Sequence, residues 1–381
     1  MKTIILIPPN GILKKQDFVL ERLSHFFKKN LHFQTILICI SEEESTQNKI
    51  FDKIIYVKNK NDILEELESI NYDLIITRGW MHAYNFSALI TKKFKNVIAL
   101  IKDWNFSSPE EYKFLFKDNS DFQAIDYIFK NAKYILSHYT HKQSEIWAKE
   151  YNVEQSKFIF FPEYCIEENF NKKSFTYKKS DINLVFAGTL PPSSYPEGFF
   201  LTKGLLRASK LLSKHNITIN IMLPPRNYND MFNQKLLYQD LIFENEFNSK
   251  FKIHEGKVLN PTVLDKFDFG FFILEYTVKN EYLNKYAVPS KFAFYLESGI
   301  PIIINKKHKA LASYVKKYNL GIVFSNKDIG VLHKKLNSIR KNDYKVFLKN
   351  IIKFRETFTY KDSTFTKILS NINRNKDNYE I

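Results

Sequence analysis

Short apolar runs alternate with amphipathic stretches along the first 160 residues. Runs such as Thr3-Ile4-Ile5-Leu6-Ile7 and Val97-Ile98-Ala99-Leu100-Ile101 are short and mostly β-branched, which predicts strands buried on both faces. Strands are predicted over 3–7, 35–41, 54–58, 73–77, 97–101, 133–137 and 157–161, with helices near 17–29, 61–70, 82–94, 122–131 and 140–151. This order is that of βα units wound into a parallel sheet. Residues 165–181 lose the periodicity and are rich in Asn, Lys, Ser and Glu, as in a linker. A second series follows, with strands near 183–187, 217–223, 251–254, 269–274, 301–304 and 321–324, and helices near 200–213, 261–267, 289–298, 309–318 and 328–340. The expected fold is α/β: a domain over 1–164, a linker over 165–181, a second domain over 182–342, and a helical segment over 343–381 packing back on the first domain. Two such sheets leave a cleft, and ligands of open parallel sheets lie beyond the carboxyl ends of the strands.

Composition narrows the classes. The chain has 381 residues, and 57 Lys and Arg against 41 Asp and Glu give a net charge of +16, so an anionic partner is worth seeking. The lysines are spread as short pairs, such as Lys92-Lys93 and Lys316-Lys317, a pattern of solvated surface. Only Cys39 and Cys165 are present, too few for a disulfide framework or a thiolate zinc site, and a reducing cytoplasm is the expected compartment. No run approaches the roughly 18 apolar residues of a membrane span, so any membrane contact is expected to be peripheral, at the inner face. The P-loop pattern, G-x-G-x-x-G after the first strand, H-E-x-x-H, G-x-S-x-G and Asp-x-Asp are all absent, and no metal or other cofactor is expected.

The most informative stretch runs from Tyr286 through Val288-Pro289-Ser290-Lys291, an aromatic helix, Gly299 and Pro301 to Ile302-Ile303-Ile304. Proline suits the first turn of a helix, and Ser290 and Lys291 follow at the positive end of its dipole. Free N–H groups beside a lysine there suit a diphosphate and would stabilise charge building on a leaving group. Arg226, after the strand ending Met222-Leu223, offers a second positive charge, and Gly188-Thr189 allow close backbone approach.

Taken in order, Pro-x-Lys, aromatic helix, Gly-x-Pro and apolar strand resemble the donor-nucleotide segment of GT-B glycosyltransferases, which have two Rossmann-like domains. The resemblance is closest to the bacterial branch of adhesin glucosyltransferases and galactofuranosyltransferases. Val185-Phe186-Ala187-Gly188-Thr189-Leu190, Lys203-Gly204, Phe251 to Gly256, Asp268 to Ile273 and Ala132 to Pro162 extend it across most of the chain. It implies a metal-independent transferase moving a sugar from a nucleotide diphosphate, a UDP-sugar by preference, to a surface-glycan, lipid-linked or protein-linked acceptor, with no nucleic-acid partner. Donor contacts would be Gly188, Thr189, Lys203, Arg226, Pro289, Ser290 and Lys291. Phe294 stands where many retaining members carry a ribose-holding Glu, and Glu297, displaced by a turn, does not inherit that role.

Acceptor-side candidates lie at strand ends of the first domain: Arg78, Trp80, Trp104 and His138, with Asp103 and His82 as nominees for the base an inverting reaction needs. Trp80 and Trp104 could stack on a sugar ring. Two other readings stand beside this one: a non-enzymatic nucleic-acid binder using the positive charge, and a sugar-nucleotide epimerase of the same fold.

Overall fold

The computed structural model describes residues 2–13, 18–41, 50–80, 83–104, 120–171, 177, 180–194, 201–256, 261–273, 285–361, 363 and 365. The chain divides into two compact units, one holding residues up to Glu163 together with those from Tyr360 onward, the other running from Tyr164 to Thr359.

The first unit is built on an all-parallel sheet of β1 (Thr3–Ile7), β2 (Ile12–Leu13), β3 (Gln34–Ser41), β4 (Lys53–Val57), β5 (Leu74–Gly79), β6 (Val97–Ile101), β7 (Tyr134–Ser137) and β8 (Phe158–Phe160). Its order is β3-β1-β5-β6-β7-β8, with β4 and the short β2 both paired to β3. The crossovers run through α1 (Phe18–Leu31), α2 (Lys60–Ser69), α3 (Tyr84–Lys93), α4 (Ser120–Asn131) and α5 (His141–Glu150). All five residues of β6 are buried, as expected of a central strand covered on both faces. The start of α2 is set by a capping box: Asn59 Oδ1 accepts from the N–H of Asp62 at 3.3 Å while the Asp62 carboxylate accepts from the N–H of Asn59 at 3.3 Å.

The second unit carries an all-parallel sheet in the order β11-β10-β9-β12-β13-β14. The strands are β9 (Ile182–Ala187), β10 (Ile217–Leu223), β11 (Phe251–Glu255), β12 (Phe269–Phe272), β13 (Ile302–Asn305) and β14 (Gly321–Phe324). Its helices are α6 (Thr202–Leu212), α7 (Pro225–Asn233), α8 (Gln239–Phe247), α9 (Ser290–Glu297), α10 (Lys309–Lys317), α11 (Leu332–Ser338) and α12 (Lys341–Thr357). Leu184, Phe186, Leu205, Ile219, Ile221, Phe269 and Phe271 share one core.

Three sequence expectations change here. The segment read as a linker over 165–181 contributes to the second unit: Tyr177 is buried, stacks on Tyr344 at 4.6 Å and donates its hydroxyl to the carbonyl of Leu336. One large aromatic residue that finds a core partner outweighs the polar residues around it. The helix of the 343–381 segment also belongs to the second unit, where Phe354 lies within 6.2 Å of Phe292 and 4.5 Å of Tyr318. What joins the first unit is the stretch after it: Tyr360 stacks on Phe26 at 5.1 Å and Phe365 meets Phe27 edge-on at 4.8 Å. Finally, α7 and α8 were not anticipated, and residues 261–264 form a short 3-10 turn in place of a helix over 261–267. Phe243 and Phe247 of α8 are exposed, so its apolar residues do not trace a buried stripe that periodicity could reveal.

Candidate active site

In the second sheet the strand order reverses at β9, whose neighbours β10 and β12 lead to opposite edges. The gap beyond the carboxyl ends of β9 and β12 is therefore the switch point at which open α/β sheets hold ligands. Lys291 sits there. Its Nζ lies 4.1 Å from the ring centroid of Phe186, near the end of β9, and 5.9 Å from that of Phe272, the last residue of β12. The ammonium rests over the negative faces of these rings, an arrangement that orients it.

Gly188 follows β9 at φ 146°, a conformation side-chain-bearing residues rarely adopt, and its N–H donates to the carbonyl of Met222 at 3.0 Å. A β-carbon there would stand 3.4 Å from both Cε and Nζ of Lys291, so the glycine keeps the lysine's flank open. α9 starts at Ser290 with Pro289 in extended conformation at the N-cap and no side-chain cap on its first turn. Uncapped N–H groups and the helix dipole thus reinforce the lysine's charge.

The tyrosine in the middle of α9 fixes this geometry. The Tyr295 hydroxyl donates to the carbonyl of Val185 at 3.0 Å and accepts the N–H of Ala187 at 3.1 Å, so the helix is locked in register with the end of β9. Burial pushes the phenol pKa well up, and the hydroxyl stays protonated. Gly270 makes room for the ring: a β-carbon there would come within 2.4 Å of it. The sequence marks α9 as an aromatic helix, but nothing in the spacing reveals the hydroxyl bridge of Tyr295.

The remaining donor-side candidates are less closely tied to this point. Thr189 is exposed next to Gly188, and Lys203 is exposed in the first turn of α6, where Thr202 donates to the carbonyl of Pro191 at 2.6 Å. Arg226 is the second residue of α7, just past the carboxyl end of β10, and its side chain lies outside the described atoms. Glu297 is fully buried, with its carboxylate accepting the N–H of Ile166 at 2.7 Å, and so serves the fold.

A second cluster occupies the carboxyl ends of β5, β6 and β7 in the first unit. The indole N–H of Trp80 donates to Oδ2 of Asp103 at 2.8 Å, while His138 Nε2 stands 4.0 Å from Oδ1, beyond hydrogen-bond reach. Asp103 is half exposed and takes φ 55°, a left-handed conformation that Asp tolerates better than most residues. Trp80 thus holds one carboxylate oxygen, while the other stands on the side of His138. Arg78 is half-buried at the end of β5, and Lys102 is buried in an ion pair with Glu163.

Trp104 does not fit its anticipated role. It is 1% exposed, packs edge-on against Tyr84 and Phe122, and donates its indole N–H to the Tyr151 hydroxyl at 3.0 Å. Its ring is core and has no free face for a sugar. His82 lies outside the described residues.

His138 is buried, and its Nδ1 has no partner among the described residues. Burial, then the charges of Lys102 and Arg78, hold its pKa well below the ordinary histidine value. The native state therefore keeps it neutral while the unfolded chain takes up a proton below pH about 6.5. The unfolded state binds more protons, so stability falls as pH drops through that value, by up to about 1.4 kcal/mol per unit from this group. Urea unfolding between pH 7.5 and 5.5 should show this slope, and His138→Asn should reduce it.

Residues 229–371 match the family model "Glucosyltransferase 3-like, C-terminal domain". No curated protein sequence matches the chain. Among solved structures, Anabaena Alr3699/HepE in complex with UDP-glucose has a TM-score of 0.67 at 11% identity, covering 99% of this chain and 100% of that one. WaaG, a glycosyltransferase involved in lipopolysaccharide biosynthesis, has a TM-score of 0.59 at 13% identity over 98% of this chain and 99% of its own. The Candida albicans trehalose-6-phosphate phosphatase N-terminal domain gives 0.66 at 10% identity over 98% and 97%. Two parallel-sheet α/β domains of this kind are the GT-B fold. Over residues 229–371 that fold carries the match to a glucosyltransferase-like domain.

Proposed function

We propose that the second unit binds a nucleoside-diphosphate sugar, with UDP-glucose the leading donor, and that the enzyme transfers its sugar to a glycan, lipid-linked or protein-linked acceptor without a metal ion. The placement of Lys291 at the β9/β12 switch point carries this reading. An ammonium, the uncapped first turn of α9 and the open flank at Gly188 together offer what a pyrophosphate leaving group needs, namely fixed positive potential and N–H donors. The UDP and UDP-glucose complexes of structural neighbours agree with it. The Pro289-x-Lys291 start, with Phe294 in place of a glutamate, supports the adhesin-glucosyltransferase side of the group.

In the first unit, we assign Asp103 as the base that takes the acceptor hydroxyl's proton, with Trp80 as its positioning residue. Arg78 and His138 complete the acceptor cluster. The two buried thiols, Cys39 and Cys165, suit a reducing cytoplasm, and no helix among the described residues is long and apolar enough to cross a membrane.

A panel of nucleotides read by thermal shift tests the donor assignment. UDP should stabilise the protein, by about 2.7 kcal/mol at a hundred times its Kd, and more than uridine does at equal concentration. The shift and donor hydrolysis should both persist in excess chelator. Equal shifts for uridine and UDP would remove the diphosphate contact, and loss of activity in chelator would overturn metal independence.

A further inference from the structure

The exposed side of α12 carries Lys341, Lys345, Lys349 and Lys353 at successive four-residue intervals. At about 100° per residue they fall with Val346 and Ile352 inside one arc of roughly 140°, along a helix about 25 Å long. The opposite arc, including Tyr344, Leu348, Ile351 and Phe354, is buried in the second unit. Val346 and Ile352 are 45% and 36% exposed, so apolar groups are interleaved with the lysines. Asn350 donates to the carbonyl of Asn319 at 3.1 Å, which brings the end of α10 alongside. Exposed Lys316, Lys317 and Tyr318 thereby extend the patch. Of the carboxylates on this helix, Asp343 lies outside that arc, bonded to Arg340, and exposed Glu356 is the one inside it, leaving the face net positive.

Local helix energetics do not favour this arrangement. Like charges at four-residue spacing repel along a helix, and Lys341 and Lys345 stand in its first turns, where the dipole disfavours cations. An anionic surface would relieve both penalties at once, and the interleaved Val346 and Ile352 would enter its apolar layer. Such a face lies in a membrane interface more readily than on nucleic acid, which gives aliphatic groups no comparable layer.

We propose that the outer face of α12, with the end of α10, docks the protein on an anionic lipid surface. The full chain is sedimented with vesicles of mixed phosphatidylglycerol and phosphatidylcholine, and with phosphatidylcholine alone. Binding is expected only to the anionic vesicles and should weaken with salt. K345Q/K349Q/K353Q should lower it at least tenfold, whereas K345R/K349R/K353R should retain it. V346S/I352S should lose the part of the binding that survives high salt. The UDP-induced thermal shift, unchanged in all three variants, certifies their fold and separates this outcome from that of the donor assignment. Wild type that stays in solution with anionic vesicles overturns the proposal, as does equal binding by the glutamine variant. Tighter binding to double-stranded DNA than to the vesicles, lost in the glutamine variant, would replace it with a nucleic-acid surface.

Discussion

Lys291→Ala should lower kcat/KM for sugar transfer by about 30- to 1000-fold, equivalent to about 2–4 kcal/mol of transition-state stabilisation. The ammonium rests 4.1 Å from the Phe186 centroid, beside the unoccluded flank of Gly188, where a leaving diphosphate would gather charge. Charge grows on that group only as the glycosidic bond breaks, so most of the loss should fall on kcat, with a smaller change in donor Kd. Lys291→Arg should recover only part of the loss, because a delocalised, planar guanidinium does not reproduce the compact point charge of an ammonium. Initial rates at saturating donor, together with direct titration of UDP, separate the two contributions. Unchanged turnover in the alanine variant would take this lysine out of the chemistry.

Asp103→Asn should cut transfer by about 10²–10⁴-fold, the range a general base contributes. Asparagine keeps an oxygen for the Trp80 indole N–H, which stands 2.8 Å from the carboxylate in the native protein, so shape is retained while basicity is lost. Under the proposed donor assignment, nucleotide binding falls to the other unit and should be unaffected. Hydrolysis of donor without acceptor should also fall less than transfer does. Equal rates in variant and wild type would move the base elsewhere, with His82 next in line.

Every strand named from the apolar runs is present, most within a residue or two of its expected ends, because runs such as Val97–Ile101 admit few other structures when both faces are covered. The helix α9 is equally legible: Pro289 and Gly299 mark its limits whatever the tertiary context. Tertiary partnerships were not legible. Tyr177 looked like one aromatic in a polar stretch until Tyr344, 167 positions away by their numbers, supplied its stacking face. Trp104 and Trp80 stand at similar strand ends, yet one is core and the other holds a carboxylate. Local sequence does not record which tryptophan meets Tyr84 and Tyr151. The Tyr295 hydroxyl likewise gained its role only when β9 arrived beneath it.

The first unit is discontinuous in sequence, and this affects how the protein is made. Phe26, Phe27 and Phe161 are covered in part by Tyr360 and Phe365, which are translated only after the whole of the second unit. Each such ring contributes on the order of 1.5–3 kcal/mol when buried. A nascent chain therefore completes its amino-terminal lobe only after the carboxyl-terminal one has been translated. An expression plasmid ending at Glu163 would produce a fragment with an uncovered aromatic seam, prone to self-association, so the lobe is better studied with its last strand of residues supplied in trans or by fusion.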